Sequence, residues 1–475
     1  MRFPFQLSGP ASGLSPALID SFLNERITDA TTGGAASQQP WRLDALAEGW
    51  RRLGLRSGDL VFVAMPNGPS LLAHFFGVLA AGGVPALVAP ATPVARLKVL
   101  FETFSARGLV TPRLPELDMA GLERSSLLGS ETALLPPSQP PPLKPGEVVM
   151  LTSGTSGFAS GCVFDLEALM RNAFKHTGAV GQREEDSVLV NLPLYYSYAL
   201  VAQAFATLLS GGRLVISGPP FNPESYLRLV HEHHITVSSV TPLLVRSLLA
   251  QEHLPERLRV LTVGGDALAA PQVERLLKLR PGGELYLTYG LSEAGPRVAT
   301  LAAHLEPPHR YTSVGRPLPG TRVELEGQRI PGQGELLVSS DTLMKRRIGF
   351  VEGRKAHEWR APGLLATGDI FEIDPQGYLS FIGRLSDFVV KGGEKISLAS
   401  VRRLATSLPG VVSARTEVIV DRVETNYDLH LVVTSPELTS ESVRRHLQGQ
   451  LRRTETPRTI YLMSTNDSRA QLGHK

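Results

Sequence analysis

Cysteine is nearly absent: Cys162 is the only one in 475 residues, so no intrachain disulfide can form and a cytoplasmic setting is expected. No charge of one sign dominates either, with 48 Lys and Arg against 45 Asp and Glu and a net charge of +3. No basic block interleaved with aromatics occurs, so nucleic acid is not expected as a partner. Long hydrophobic runs are also missing. The most apolar stretch, 60–90, is broken by Pro66, Gly68 and the Gly82–Gly83 pair, and reads as strand, helix and strand rather than a membrane span. The opening "MRFPFQLSGPASGL" lacks the basic and apolar regions of a secretion signal. What is present is globular: 42% of residues are hydrophobic and 20% charged. The length exceeds what one hydrophobic core supports, so two or three domains are expected.

Periodicity predicts an αβαβ beginning, with helices over 42–53 and 70–81 and strands over 60–65 and 84–88. "PPSQPPPLKPGE" at 137–147 is a proline-stiffened connection. From 187, apolar strands ("SVLVNLPL", "GRLVIS", "ITVSSVTP", "LRVLTVGGD") alternate with helices near 201–209 and 243–251, which implies a largely parallel sheet with helices on both faces. After 313 short strands and turns ("TRVELEG", "GELLVSS", "GYLSFIG") suggest an antiparallel, barrel-like region. A last block carries helices over 398–407 and 440–453 and the strands "ARTEVIVD" and "DLHLVVTS". The domain boundary is expected near 384–387.

Three stretches carry chemistry. In "MLTSGTSGFASGCVF", 150–164, an apolar strand enters a loop of Thr152, Ser153, Gly154, Thr155, Ser156 and Gly157. Glycines let backbone N–H groups turn toward an anion and hydroxyls add donors. The loop does not match the G-x-x-x-x-G-K-[ST] phosphate loop, and Ser160 stands where a lysine is expected. Alone it also reads as an ordinary turn, and Cys162 beside it as a small apolar residue of a strand. In "YLTYGLSEAGP", 286–296, a strand ends in an aromatic, a hydroxyl and a carboxylate, where parallel sheets bind ligands. Tyr289 can stack on a base, Ser292 can reach a phosphate and Glu293 can hold Mg²⁺, or Glu293 can simply start a helix. In 364–397, Asp369 can bind ribose hydroxyls and Arg384 sits at the boundary, with Lys391, Gly392, Gly393 and Glu394 in a turn beyond it. The histidines of "HEHH", 231–234, read as solvated residues at a helix end rather than zinc ligands.

The order of these pieces, hydroxyl/glycine loop, "YGLSE", "TGD", then "GRLSDFVVKGGEKIS", resembles the adenylate-forming superfamily of acyl- and aryl-CoA synthetases, luciferases and nonribosomal adenylation domains. The resemblance runs from about residue 41 to the C-terminus and includes "LPLYYSYALVAQ", "LTVGGDAL" and "SVGRPLPGTRVEL". It implies an α/β fold: a large N-terminal domain (1–383) of mainly parallel sheets with flanking helices plus a barrel-like β region, a hinge (384–387) and a small mobile α+β C-terminal domain (388–475). It implies a reaction in which a carboxylate attacks the α-phosphate of ATP, giving an acyl-adenylate and pyrophosphate, before a thiol of CoA or a phosphopantetheine carrier protein takes the acyl group. By motif, Thr152–Gly157 would cradle the β- and γ-phosphates. Gly264, Gly265, Asp266, Tyr289 and Gly290 would surround the adenine, Ser292 would contact the α-phosphate and Glu293 would bind Mg²⁺. Asp369 and Arg384 would hold ribose, with Arg384 also serving catalysis, and Lys391–Glu394 would line the thiol route. Tyr195, Tyr196, Ser197, Ala199, Gly290 and Ala294 would line the acid pocket, whose tyrosines favour an aryl or short compact acid. A homodimer is compatible with the resemblance.

The chain keeps Arg384 but departs from the family pattern at several positions, most of them cationic in that pattern. Ala159–Ser160 replaces the loop's Pro-Lys, Ser386 the hinge Asp or Lys, and Tyr196 the histidine of the acid-pocket motif. The C-terminal Gly-Lys becomes Gly473–His474, with Lys475 one step on, so either His474 or Lys475 would be the catalytic group there. One lost charge-assisted contact costs roughly 10²–10³ in rate. The alternatives are a catalytically impaired homologue that binds nucleotide or acyl ligand, and a ligase that delivers the acyl group to an amine.

Overall fold

Hydrophobic spacing decides the first helices. Helix Leu43–Arg52 buries Leu43, Leu46, Ala47 and Trp50 along one stripe, with Asp44 in its first turn and Arg51 and Arg52 in its last, favourable at each end of the helix dipole. Helix Pro69–Ala81 is buried along its length from Leu71 and stops at Gly82, whose φ of +95° suits glycine. The two pack closely: a Cβ on Gly77 would lie 2.9 Å from the Cβ of Leu46.

The structure, a computed structural model, describes residues 3–31, 40–136, 143–153, 159–218, 220–251, 254–349, 358–385, 388–391, 394–420, 425–434, 437–448, 451 and 455–464. The chain forms two units. The first comprises Met1–Glu324, Leu337–Leu365 and Pro375–Leu379, and the second Leu325–Leu336, Ala366–Asp374 and Ser380–Lys475.

The first unit holds two eight-stranded sheets. One runs Ile27–Asp29, Arg213–Ile216, Ser187–Val190, Val237–Val240, Val260–Val263, Glu284–Gly290, Arg297–Ala302, Arg316–Pro317. Its first six strands are parallel, as the βα alternation predicts, and the last two antiparallel. The other runs Arg346–Gly349, Ala159–Asp165, Glu147–Ser153, Val84–Leu87, Leu60–Val63, Gly108–Thr111, Ser130–Leu134, Glu123–Leu127. It is parallel in the middle and antiparallel at both ends. Each sheet has its own apolar core, one around Leu261, Val273 and Leu285, the other around Phe62, Phe101 and Val149.

In the second unit, strand segments of the barrel-like region, Leu325–Leu336, Ala366–Asp374 and the start of Ser380–Lys475, are followed by the hairpin Phe388–Lys391/Glu394–Ser397. Helices Leu398–Thr406 and Ser440–Gln448 and the three-stranded sheet Val411–Val420, Thr425–Val433, Ile460–Ser464 complete it. Ile396, Val401, Tyr427, Leu429, Leu431, Val443 and Leu447 form its separate core. Among the described residues no helix is long and apolar enough to cross a membrane.

Candidate active site

The hydroxyl/glycine loop hangs between the antiparallel strands Glu147–Ser153 and Ala159–Asp165, whose last register pairs are Thr152 with Ser160 and Ser153 with Ala159. The predicted loop residues Gly154, Thr155, Ser156 and Gly157 lie outside the described residues. Thr152 Oγ1 and Ser160 Oγ are 2.9 Å apart, and Ser160 is buried. Cys162 is buried within the second strand, as a small residue of a strand should be.

A residue that sequence reading missed completes this corner. Strand Arg346–Gly349 adds to the sheet edge, pairing Arg347 with Cys162, two residues on from Ser160. The two-residue repeat of a strand therefore puts Arg347 on the face of Ser160. Its Nη1 donates to Ser160 Oγ (3.1 Å) and Thr152 Oγ1 (3.3 Å), and its Nη2 to Glu293 Oε1 (2.7 Å) and Glu358 Oε2 (2.6 Å). Nε also donates to Glu358 at 3.1 and 3.2 Å, so Glu358 grips the guanidinium as a fork. The Arg347 side chain is 4% exposed. Burial opposes its charge, yet the Glu358 hydrogen bond and the charge of Glu293 raise its pKa above the ordinary arginine value. The available signal was the run Lys345-Arg346-Arg347 in a strand-like stretch. Its two neighbours serve a different carboxylate, the buried Glu147, which Arg346 and Lys345 meet at 2.9 and 3.0 Å.

Glu293 sits in the turn Ser292–Ala294 that follows strand Glu284–Gly290. Met344 N donates to its carbonyl at 2.9 Å. Buried Asn172 donates to the carbonyls of Ala294 and Arg297 and to Thr342 Oγ1, and Thr342 Oγ1 also donates to the carbonyl of Ala294. A Cβ on Gly295 (φ +93°) would stand 2.4 Å from the carbonyl oxygen of Thr342, so only glycine lets these segments meet. The turn and the segment bearing Arg347 are thus held together by a backbone hydrogen bond and by the side chains of Asn172 and Thr342. Magnesium takes one or two carboxylates with substrate phosphate and water completing its shell. Glu293, 20% exposed and with Arg347 on one oxygen, fits that donor set. Among the described residues no cluster of three His, Cys, Asp or Glu could hold a resident metal, the 231–234 histidines included.

Gly264 follows strand Val260–Val263 and is buried, while Gly265 and Asp266 are exposed. A Cβ on Gly264 would lie 2.4 Å from Thr288 Oγ1, 3.1 Å from Arg297 Nη1 and 3.2 Å from the Tyr198 ring. Arg297, also missed in the sequence, lies over the Tyr198 ring at 3.8 Å and donates to Thr288 Oγ1, while its Nε and Nη2 find no acceptor among the described residues. Tyr198 bonds Thr262, and Ser197 Oγ lies 3.1 Å from Ser292 Oγ. Burial first, then the charge of Arg297, holds His176 well below the usual histidine range, so it is neutral. Tyr195 and Tyr196 pack ring to ring, with Tyr196 55% exposed, whereas Ala199 and Ala294 are buried. Tyr289 and Gly290 occupy a bulge at the strand end.

In the second unit, buried Asp369 pairs with Arg384 (3.3 Å), whose side chain is mostly exposed. Gly368 N donates to Glu335 and Asp369 N to Thr367 Oγ1, which shapes the "TGD" bend. Lys391 and Glu394 face each other as the last pair of a hairpin. Ser386, Gly392, Gly393, His474 and Lys475 lie outside the described residues.

Comparison with known proteins identifies the family and the fold. The model of the AMP-binding enzyme family matches residues 41–346. A feruloyl-CoA synthase of Amycolatopsis sp is 30% identical over 387 residues, 78% of this chain and 77% of that protein. A 2-succinylbenzoate–CoA ligase of Bacillus cytotoxicus is 24% identical over 439 residues, 88% of this chain and 87% of the relative. The o-succinylbenzoate CoA synthetase of Bacillus subtilis, solved with its acyl-adenylate intermediate, superposes with a TM-score of 0.78 at 20% identity, covering 97% of this chain and 98% of that one. An amide bond synthetase of Marinactinospora thermotolerans gives 0.73 at 20% identity, covering 96% and 98%. The fold is therefore that of adenylate-forming enzymes, as the motif order implies, and the chain belongs to the AMP-binding enzyme family.

Proposed function

We propose that this chain activates a carboxylic acid with ATP, forming an acyl-adenylate and releasing pyrophosphate, and then passes the acyl group to the thiol of CoA or of a carrier protein. One observation carries the reading. Glu293, a carboxylate suited to magnesium, meets at Arg347 the strand pair Thr152/Ser160 that brackets the hydroxyl/glycine loop. A phosphate-binding loop and a metal-binding carboxylate in one corner is what in-line displacement at phosphorus requires, since such catalysis rests on positioning and charge neutralisation. Bound Mg²⁺, held by Glu293, supplies countercharge to the polyphosphate. Thr152–Gly157 cradle the phosphates and Ser292 contacts the α-phosphate. Gly264–Asp266, Tyr289 and Gly290 surround the adenine, and Asp369 with Arg384 holds the ribose.

The names of the relatives, ligases of feruloyl and succinylbenzoyl acids, support an aryl or compact acid and CoA as acceptor. Tyr195, Tyr196, Ser197, Ala199, Gly290 and Ala294 line the acid pocket in this reading. Residues 384–387 act as the hinge of a rotating C-terminal domain, 388–475, which brings Lys391–Glu394 to the thiol route and His474 or Lys475 to the carboxylate. An amine acceptor is the second reading, favoured by the amide bond synthetase fold. The test is pyrophosphate release across a panel of carboxylic acids. Release that depends on at least one acid supports the reading, and release independent of every acid contradicts it. Mass spectrometry of products with CoA, holo-carrier protein or amine offered separately identifies the acceptor.

A further inference from the structure

The loop carries no lysine, yet an arginine reaches the same place from a strand distant in sequence. We propose that Arg347 is the cation that contacts the polyphosphate of ATP in this chain, replacing the charge absent at Ser160. The inference rests on the ATP-dependent reading above.

Three observations carry it. Arg347 Nη1 lies 3.1 Å from Ser160 Oγ and 3.3 Å from Thr152 Oγ1, so the guanidinium borders the two residues from which the loop springs. A lysine at position 160 would extend from the Cβ that now carries this hydroxyl, and its ammonium would compete for the volume the guanidinium fills. Second, the guanidinium is held from behind: Glu358 accepts from both Nε and Nη2, which fixes the plane of the fork and leaves Nη1 turned toward the loop strands. A planar fork so fixed loses little freedom when it meets phosphate oxygens, for which its geometry is suited. Third, the charges balance for an anionic guest with its cation. Two carboxylates, Glu293 and Glu358, surround one buried arginine, a formal excess of one negative charge. That excess suits a divalent cation at Glu293, after which the corner is positive toward phosphate. Arg347 also bridges Glu293 to the loop strands directly, so the metal-binding carboxylate and the phosphate loop share one positioning group.

The experiment compares binding of ATP and AMP, each with magnesium, to the full chain by calorimetry, with pyrophosphate release measured alongside. The variants are Arg347→Gln, which keeps a donor for Glu358 but no charge, and Arg347→Gln combined with Ser160→Lys. Hydrogen bonds to charged groups contribute enough for a loss of about 10–100-fold in ATP affinity in the single variant. AMP, which lacks the β- and γ-phosphates, should bind within about threefold of the wild type, on the same reasoning. The added lysine should restore most of the ATP preference, an effect that a merely structural role for Arg347 would not produce. If ATP and AMP weaken equally, or if Ser160→Lys restores nothing in a folded protein, the proposal is overturned. Should Arg347→Gln not fold, Arg347→Lys keeps the charge and must keep the preference for ATP; equal binding of ATP and AMP by that variant overturns the proposal. The two readings fail separately. A wild type that prefers ATP over AMP through Arg347 but releases no pyrophosphate with any acid contradicts only the acid-activating function. An Arg347→Gln variant that binds ATP and releases pyrophosphate like the wild type contradicts only the role of Arg347.

Discussion

At the scale of single residues, the same sheet edge holds two charge clusters with different consequences. Burial alone would raise the Glu147 carboxyl, but Arg346, the Lys144 backbone N–H and Lys345 outweigh it and lower its pKa to about 2. A depressed carboxyl stabilises the fold at pH values above its unfolded pKa and loses that contribution as pH falls toward the folded one. Glu147→Gln should therefore cost about 2 kcal/mol at pH 7, below the full linkage value because Lys345 and Arg346 are each 38% exposed. In urea denaturation that difference should shrink steadily from about pH 4.5 down to about pH 2. Gly264→Ala should lower stability by about 1–3 kcal/mol, because the new methyl group would meet Thr288 Oγ1, Arg297 and Tyr198; thermal and chemical denaturation measure it. Thr152, Gly264, Glu293 and Asp369 were legible because each lies inside a short contiguous motif. Arg347, Glu358 and Arg297 were not. Arg347 reaches Thr152, Ser160 and Glu293 across long stretches of sequence through strand register. Arg297 lies over distant Tyr198 and is stapled by Asn172, and Glu358, though near Arg347 in sequence, sits in no motif.

At the scale of elements, the helices and parallel strands of the first unit follow from periodicity and from the glycines that close them. The expected helices over 42–53 and 70–81 are Leu43–Arg52 and Pro69–Ala81, and the strands over 60–65 and 84–88 are Leu60–Val63 and Val84–Leu87. Edge strands were harder to read. Arg346–Gly349 is short and basic, and only its pairing with Ala159–Asp165 makes it a strand. Close helix packing gives an element-level prediction. Gly77→Val would drive a side chain into Leu46 and separate the first two long helices, at about 1–3 kcal/mol. Gly178→Ala, on an exposed face of helix Leu166–Ala179 with nothing within 4 Å of its new methyl, should instead stabilise by roughly 0.5–1 kcal/mol. Paired denaturation curves for the two variants separate packing from helix propensity.

At the scale of the whole molecule, the order of motifs along the chain carried the fold and the family, whereas no single motif did so. The acid is less legible, because the pocket proposed for it draws on side chains from separate elements whose inward or outward direction follows from packing, as exposed Tyr196 and stacked Tyr198 illustrate. The central claim is that a carboxylate oxygen attacks the α-phosphate of ATP and that a nucleophile later attacks the acyl carbon. The most direct measurement supplies an active acid labelled with ¹⁸O in its carboxylate, together with ATP and CoA, and analyses the released nucleotide by mass spectrometry. The account predicts AMP carrying one ¹⁸O atom from the acid, with pyrophosphate unlabelled. Unlabelled AMP, or ADP with phosphate as the products, would contradict it.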